Sequence, residues 1–290
     1  MSLPEDLRRE FETMVERALE EDRAFDDLTG RLLIPGGLRA AGRMIAGGRF
    51  VVCGLPVAEM VFRRLDARVR FAALVEEGGT AAEGDVLCEV EGEARALLAA
   101  ERTALNFVQL ACAVATRTAR MVEAVRPLEV DVLDTRKTLP GLRALQKYAV
   151  RTGGGRNHRL HLAERVMVKD NHKALLDGDA SGVEFWRGIR AALGEAAERA
   201  VVEAETPEEA EAALRAGFRH IMLDNFARDE LARTVRGLRA AGDAVYVEAS
   251  GGLGPDDAAE VARAGVDGMS AGALTRHLRT PEVSFEVERL

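Results

Sequence analysis

Lysine is nearly missing from this 290-residue chain: of forty lysines and arginines only four are lysine, and Lys137, Lys147, Lys169 and Lys173 all fall in one short segment. Cysteine is scarce too. Cys53, Cys88 and Cys112 are odd in number and scattered, with no C-x-x-C pair, so a disulfide framework or zinc site is not expected and a reducing cytoplasm is. No H-x-H or H-E-x-x-H spacing occurs, which argues against a transition-metal centre. The Walker loop and G-x-G-x-x-G are also absent, removing the usual signatures of ATPases and dehydrogenases. The opening "MSLPEDLRREFETMVERALEED" is charged and amphipathic, without a signal peptide's apolar stretch, and no apolar run reads as long enough to span a bilayer. Net charge is −8 and the pI about 5.4, so neither nucleic acid nor an anionic membrane is an expected partner.

What is present is a rhythm. "FRHIMLDN" (218–225), "AVYVEASGG" (244–252) and "VDGMSAG" (266–272) are apolar runs, each preceded by an alanine-rich helical pattern ending in Ala-Gly. Two of these helices, "PEEAEAALRAG" and "PDDAAEVARAG", open on Pro followed by acidic residues, the expected helix start, and Gly is the expected stop. "LEVDVLDT" (128–135), "ERVMVKDN" (164–171) and "RAVVEAET" (199–206) extend the series. Such runs fit parallel strands buried on both faces, and about six strand-helix units predict an α/β barrel that is open or incomplete. Residues 1–110 read instead as an α+β sandwich of short alternating strands and Gly-rich turns. The last residues, "PEVSFEVERL", are expected to return to it as a strand at about 278–290, leaving 111–277 as the barrel.

The strand ends carry the functional argument, because parallel barrels place their active sites there. Each run finishes in polar residues: Asp134-Thr-Arg-Lys, Lys169-Asp-Asn-His, Glu203-Ala-Glu, Asp224-Asn, Glu248-Ala-Ser-Gly-Gly and Ser270-Ala-Gly-Ala. Arg136, Lys137, His158, Arg159 and Lys169, with Arg102, His161 and His172 as further members, predict a site for a polyanion. Glu203 and Asp224 supply carboxylates able to hold Mg²⁺, directly or through water, or to stabilise a developing cation. The small-residue turns "SGGLGPDD" and "SAGAL" are expected phosphate cradles. His220 and His277 read as structural.

Taken in order, "AERTALNFVQ", "DTRKTLPGLR", "KYAVRTGGGRNHR", "VMVKDNH", "VEAE", "LDN", "EASGGL" and "SAGALT" resemble the quinolinate phosphoribosyltransferase family over essentially the whole chain. The resemblance implies an N-terminal α/β sandwich and an open α/β barrel of the type II phosphoribosyltransferase kind. It implies transfer of phosphoribosyl from 5-phosphoribosyl-1-pyrophosphate to quinolinate, with loss of pyrophosphate and CO₂ and with Mg²⁺, giving nicotinate mononucleotide for NAD synthesis. Carried over by position, Arg136, His158, Arg159 and Lys169 hold the quinolinate carboxylates, and Arg102 joins them from a partner subunit of a homodimer or larger homo-oligomer. Lys137, Glu203 and Asp224 are the implied catalytic set. Thr135, Lys137, Ser250, Gly251, Gly252, Ala271, Gly272 and Ala273 are the implied phosphoribosyl and phosphate ligands.

The chain departs from the family pattern locally. It has "DDLT" at 26–29 where "GDLT" is usual, Thr152 where Cys is usual, and "LHLAE" after Arg159, which puts His161 beside the quinolinate loop. A paralogue associated with molybdate transport and a non-catalytic phosphate-binding barrel are the competing readings. The intact "KDNH" speaks against the first, and Lys137, Glu203 and Asp224 against the second.

Overall fold

The computed structural model describes residues 3–242 and 244–290. Its contacts define two units that interleave along the chain: Met1–Ala119 with Thr138–Gly154 and His277–Leu290, and Arg120–Lys137 with Gly155–Arg276.

The first unit opens with α1 (Glu5–Glu21), whose buried Phe11, Met14, Val15 and Leu19 recur at helical spacing and whose other faces are charged. In α2 (Leu28–Leu33) the Asp27 carboxylate caps the helix, accepting the amides of Thr29 at 3.1 Å and Gly30 at 3.0 Å. The unusual Asp26 therefore leaves the cap intact; it pairs with Arg23 at 2.9 Å on the surface. Then follow β1 (Arg39–Ala46), β2 (Phe50–Val51), α3 (Leu55–Leu65), β3 (Arg70–Ala73), β4 (Thr80–Ala81), β5 (Val86–Glu93) and α4 (Ala94–Val125). Later in the chain come α5 (Arg143–Thr152) and the last strand, β12 (Val283–Arg289). These build an antiparallel sheet in the order β12-β1-β5-β3, and β2 pairs with β4 as a small ribbon. β1 buries every second residue, the period-2 pattern of a half-buried strand. Gly42 is required there: a Cβ would lie 2.2 Å from the Phe285 ring, which packs on Phe62 with centroids 5.5 Å apart.

By length and composition α4 alone among the described helices could cross a membrane, which differs from the sequence expectation that no run is long enough. Glu101 and Arg102 break the apolar run in sequence but not in the helix. Of its most apolar window, 61% is buried inside the protein, as a core helix requires.

The second unit holds β6 (Asp131–Leu133), β7 (Met167–Val168), α6 (Asp170–Lys173), α7 (Val183–Leu193), β8 (Val201–Ala204), α8 (Pro207–Arg215), β9 (His220–Asp224) and α9 (Arg228–Ala240). It ends with β10 (Tyr246–Ser250), α10 (Ala258–Arg263), β11 (Gly268–Ser270) and α11 (Ala273–Arg276). All six strands are parallel in the order β6-β11-β10-β9-β8-β7, and the terminal strands β6 and β7 do not pair, so the barrel is open as expected. Thr206 caps α8 ahead of Pro207. α10 starts later than its Pro-acidic motif predicts, at Ala258, because Asp257 accepts the Gly254 amide at 3.1 Å and keeps residues 254–257 in a turn.

Candidate active site

Register decides which residues face inward. Glu203 lies opposite Met222, Glu248 opposite both Met222 and Gly268, and Ser250 opposite both Asp224 and Ser270. Since successive side chains alternate, Glu203, Met222, Asp224, Glu248, Ser250 and Ser270 share one face, while Val202, Ile221, Leu223, Val247, Ala249 and Met269 are buried on the other. Met167, Val201 and Met222 form an apolar floor. The polar strand-end residues thus stand as a layer on an apolar base.

Beside that layer two arginines are forced together. Arg159 is only 8% exposed, and burial together with the nearby positive charge of Arg136 depresses its pKa. Arg136 Nε is buried with no hydrogen-bond partner among the described residues. Two crowded guanidiniums, one with an unspent donor, make a receptor for carboxylate oxygens. Lys169 makes an ion pair with Glu203, whose second oxygen takes the Asp170 amide at 3.3 Å. The Lys169 amide donates to His172 Nδ1 at 3.0 Å, so His172 is spent locally, and His161 is exposed. Lys173 is a buried cation between Glu209 at 2.7 Å and Glu205 at 3.1 Å, tying α6 to the start of α8. Lys147 is buried as well, so neither of these lysines is a surface residue.

The loop after α5 is zipped onto the open edge at β6. The Arg156 amide donates to Val132 O at 2.8 Å and the Asp134 amide to Arg156 O at 3.2 Å. The buried Asp134 carboxylate accepts Asn157 Nδ2 at 2.6 Å and the His158 amide at 2.9 Å. Asp134, read from sequence only as part of a strand end, organises the loop that carries His158 and Arg159.

At the ends of β9 and β10 the turns interlock. Asn225 adopts φ +58°, donates its amide to Ser250 O at 2.9 Å, and holds Asp224 Oδ2 through Nδ2 at 2.7 Å. Gly251, at φ +102°, passes so close that a Cβ would lie 2.2 Å from Asn225 Oδ1. Gly251→Ala is expected to lower unfolding free energy by about 1–3 kcal/mol in a urea titration, more than an exposed-turn substitution would. Lys137 is exposed; its amide meets Thr135 Oγ1 at 3.0 Å, and its carbonyl accepts Thr275 Oγ1 at 2.8 Å. Gly272 leaves room for the Lys137 stem, since a Cβ there would lie 2.9 Å from Cδ. Thr135, Lys137 and the 271–273 turn are thereby brought together, as are Asp224 and the 250–252 turn. Arg102 belongs to the other unit, on α4, with an exposed side chain.

Glu248 has no role in the sequence reading beyond its strand-end position, and His220 is read there as structural. Glu248 is fully buried; its Oε2 lies 2.7 Å from His220 Nε2 and 3.4 Å from His158 Nε2. Burial alone would raise its pKa, but hydrogen bonds from and proximity to the two histidines bring it down from 4.5 to about 2. A depressed carboxyl stabilises the fold fully above its unfolded value and loses that contribution as pH falls toward its folded value. The stability gap between wild type and Glu248→Gln is therefore expected to be constant from pH 6 to 8. It should then shrink by up to about 3 kcal/mol as pH drops from about 5 toward 2, measured by denaturant titration. The parity of β10, which puts Glu248 on the same face as Ser250, was the available signal.

An open parallel barrel with an interior layer of paired carboxylates, clustered cations and glycine turns defines an enzyme acting on anionic small molecules. Comparison with known proteins specifies the family. Residues 27–112 match the quinolinate phosphoribosyl transferase N-terminal domain and residues 114–286 its C-terminal domain. The nicotinate-nucleotide pyrophosphorylase [carboxylating] of Mycobacterium leprae is 40% identical over 278 residues, 94% of this chain and 95% of that one. A quinolinate phosphoribosyltransferase [decarboxylating] of Nicotiana tabacum is 29% identical, covering 95% of this chain and 81% of that one. The solved structure of the Francisella tularensis nicotinate-nucleotide pyrophosphorylase superposes with a TM-score of 0.87 at 31% identity, covering 99% and 98% of the two chains. The chain belongs to the quinolinate phosphoribosyltransferase family, decarboxylating pentosyltransferases that make nicotinate mononucleotide for NAD synthesis.

Proposed function

We propose that this chain carries out the family's reaction with Arg136, Arg159 and Lys169 as the quinolinate clamp and Glu203, Asp224 and Lys137 as the phosphoribosyl-transfer machinery. The observation that supports the clamp is the Arg136–Arg159 juxtaposition, in which like charges are held together and a buried donor of Arg136 has no partner among the described residues. A dianion relieves that repulsion, and two adjacent ring carboxylates match two guanidiniums and an ammonium better than one does. His158 stands behind Arg159, its ring directed to the Arg159 amide and to Glu248.

Pyrophosphate departure from the donor sugar leaves an oxocarbenium-like carbon, which the ring nitrogen of quinolinate attacks. Glu203 and Asp224 lie on the inward face where that positive charge develops, and carboxylates fixed there favour the transition state over the ground state. Lys137, exposed beside the 271–273 turn, neutralises the departing pyrophosphate, while Thr135, Ser250, Gly251, Gly252, Ala271, Gly272 and Ala273 hold the 5-phosphate. After transfer, the C–C bond to the carboxylate beside the pyridinium nitrogen breaks. CO₂ leaves, and the electron pair remains on the ring carbon, is stabilised by the adjacent pyridinium and the clamp cations, and takes up a proton. The hard oxygen donors of Glu203 and Asp224 suit Mg²⁺. Glu203, already engaged by Lys169 and the Asp170 amide, would hold the ion together with Asp224, directly or through water. When bound, Mg²⁺ adds positive charge to the pyrophosphate side of the site.

Arg102, exposed on α4, is assigned to the site of a second copy, in a homodimer or larger homo-oligomer. The decisive assay supplies quinolinate, phosphoribosyl pyrophosphate and Mg²⁺ and follows CO₂ and nicotinate mononucleotide. Substituting nicotinate, with one carboxylate, is expected to abolish turnover; equal use of the two acids would overturn the clamp.

A further inference from the structure

The Arg159 backbone is tied into a closed circuit of hydrogen bonds and one close His158–Glu248 approach. Arg165 Nη2 lies 2.8 Å from His220 Nδ1, and since arginine only donates, that nitrogen accepts. His220 therefore carries its proton on Nε2 and donates it to Glu248 Oε2 at 2.7 Å. His158 Nδ1 accepts the Arg159 amide at 2.8 Å, which likewise places the His158 proton on Nε2, 3.4 Å from the same carboxylate oxygen. Arg159 Nη1 donates to the Arg165 carbonyl at 2.8 Å and closes the ring. The side chains of His158, His220 and Glu248 are 6%, 12% and 0% exposed. Tyr246 packs on His220 with centroids 4.6 Å apart, and its hydroxyl donates to Asp131 at 3.0 Å.

Two imidazoles and a carboxylate this close could also hold a metal ion. The donors argue otherwise. A neutral imidazole that ligates through Nε2 carries its proton on Nδ1, yet Nδ1 of His158 faces a backbone N–H and Nδ1 of His220 faces a guanidinium.

We propose that Glu248 and His220 are positioning residues that act through His158 to set Arg159 in the quinolinate clamp. The proposal rests on the clamp reading given above. Glu248 Oε2 receives the His220 N–H and stands 3.4 Å from His158 Nε2 as the nearest anion; His220, held by Arg165, fixes where that oxygen stands. His158 then fixes the Arg159 amide, so the guanidinium is aimed from its backbone end as well as from Arg165.

Kinetics of Glu248→Leu, Glu248→Gln and His220→Phe test this. Leucine removes the acceptor while keeping bulk, and glutamine keeps one oxygen able to accept the His220 N–H and to face His158. Glu248→Leu and His220→Phe are expected to raise the quinolinate KM about tenfold or more, with the phosphoribosyl pyrophosphate KM unchanged, and Glu248→Gln to restore most of the loss. Equal loss for both substrates, or glutamine behaving like leucine, overturns the proposal. If Glu248→Leu does not fold, His220→Phe reads the same contact from the other side. ¹⁵N-histidine NMR of the wild-type apo-protein gives a readout independent of quinolinate, expected to show His158 and His220 as neutral Nε2–H tautomers. Nδ1–H tautomers, or stoichiometric zinc in the purified protein, would overturn it. A wild type that ignores quinolinate yet shows the Nε2–H tautomers would sink the clamp reading and, with it, the role of Glu248 and His220, while leaving the hydrogen-bonded circuit standing.

Discussion

Arg136→Ala is expected to raise the quinolinate KM about a hundredfold while leaving the phosphoribosyl pyrophosphate KM and the stability of the apo-protein almost untouched. Loss of two charge-assisted hydrogen bonds to a carboxylate costs about 3 kcal/mol or more, and about 1.4 kcal/mol is a factor of ten. The sign on stability is informative. Arg136 depresses the pKa of Arg159, so in the free protein it disfavours the charged form of its neighbour. Removing it relieves that repulsion, and the variant should unfold at the same temperature as wild type or slightly above it. Sites built to receive an anion carry such strain until the anion arrives. Isothermal titration with quinolinate and a thermal scan check both halves. A variant that loses stability and quinolinate affinity together would mean that Arg136 holds the fold and not the ligand.

Glu203→Ala should behave in the opposite way, with kcat falling about 10²–10³-fold and the quinolinate KM not rising. Preorganised charge aimed at a developing charge contributes on that scale when removed singly. Glu203 is 3% exposed and its carboxylate is fixed by Lys169 and the Asp170 amide before substrate enters, so it needs no reorganisation as the sugar becomes cationic. Because Lys169 loses its partner in this variant, the effects of Glu203→Ala and Lys169→Ala should not add. Pre-steady-state measurement of pyrophosphate release separates the chemical step from product release. A normal burst of pyrophosphate in Glu203→Ala would move the charge-stabilising role to Asp224 alone.

The strand-end placement of Arg136, Lys169, Glu203 and Asp224 was legible in the sequence because a parallel barrel repeats one rule: an apolar run followed by a polar end puts that end on one face. Period-2 alternation likewise made the inward partners of each strand countable once register was known. The roles of Asp134, Asn225, His220 and Glu248 were not legible. His220 starts β9 and His158 lies in a loop 62 positions earlier, and nothing local in either stretch indicates that both meet Glu248. The same holds for α5, which follows a barrel strand in the chain yet packs in the first unit, and for the length of α4, where charged residues interrupt the sequence but not the helix.

By itself, then, the sequence determined the strand-helix rhythm, the polar layer at the strand ends, the helix stops and the family. These depend on propensity and periodicity, which act over a few neighbouring residues. Tertiary structure alone decided which carboxylate faces which cation, which histidine nitrogen carries the proton, and that two arginines are held against their own repulsion. Those depend on distances between residues far apart in the chain, where a shift of one register position would turn each of them to the opposite face.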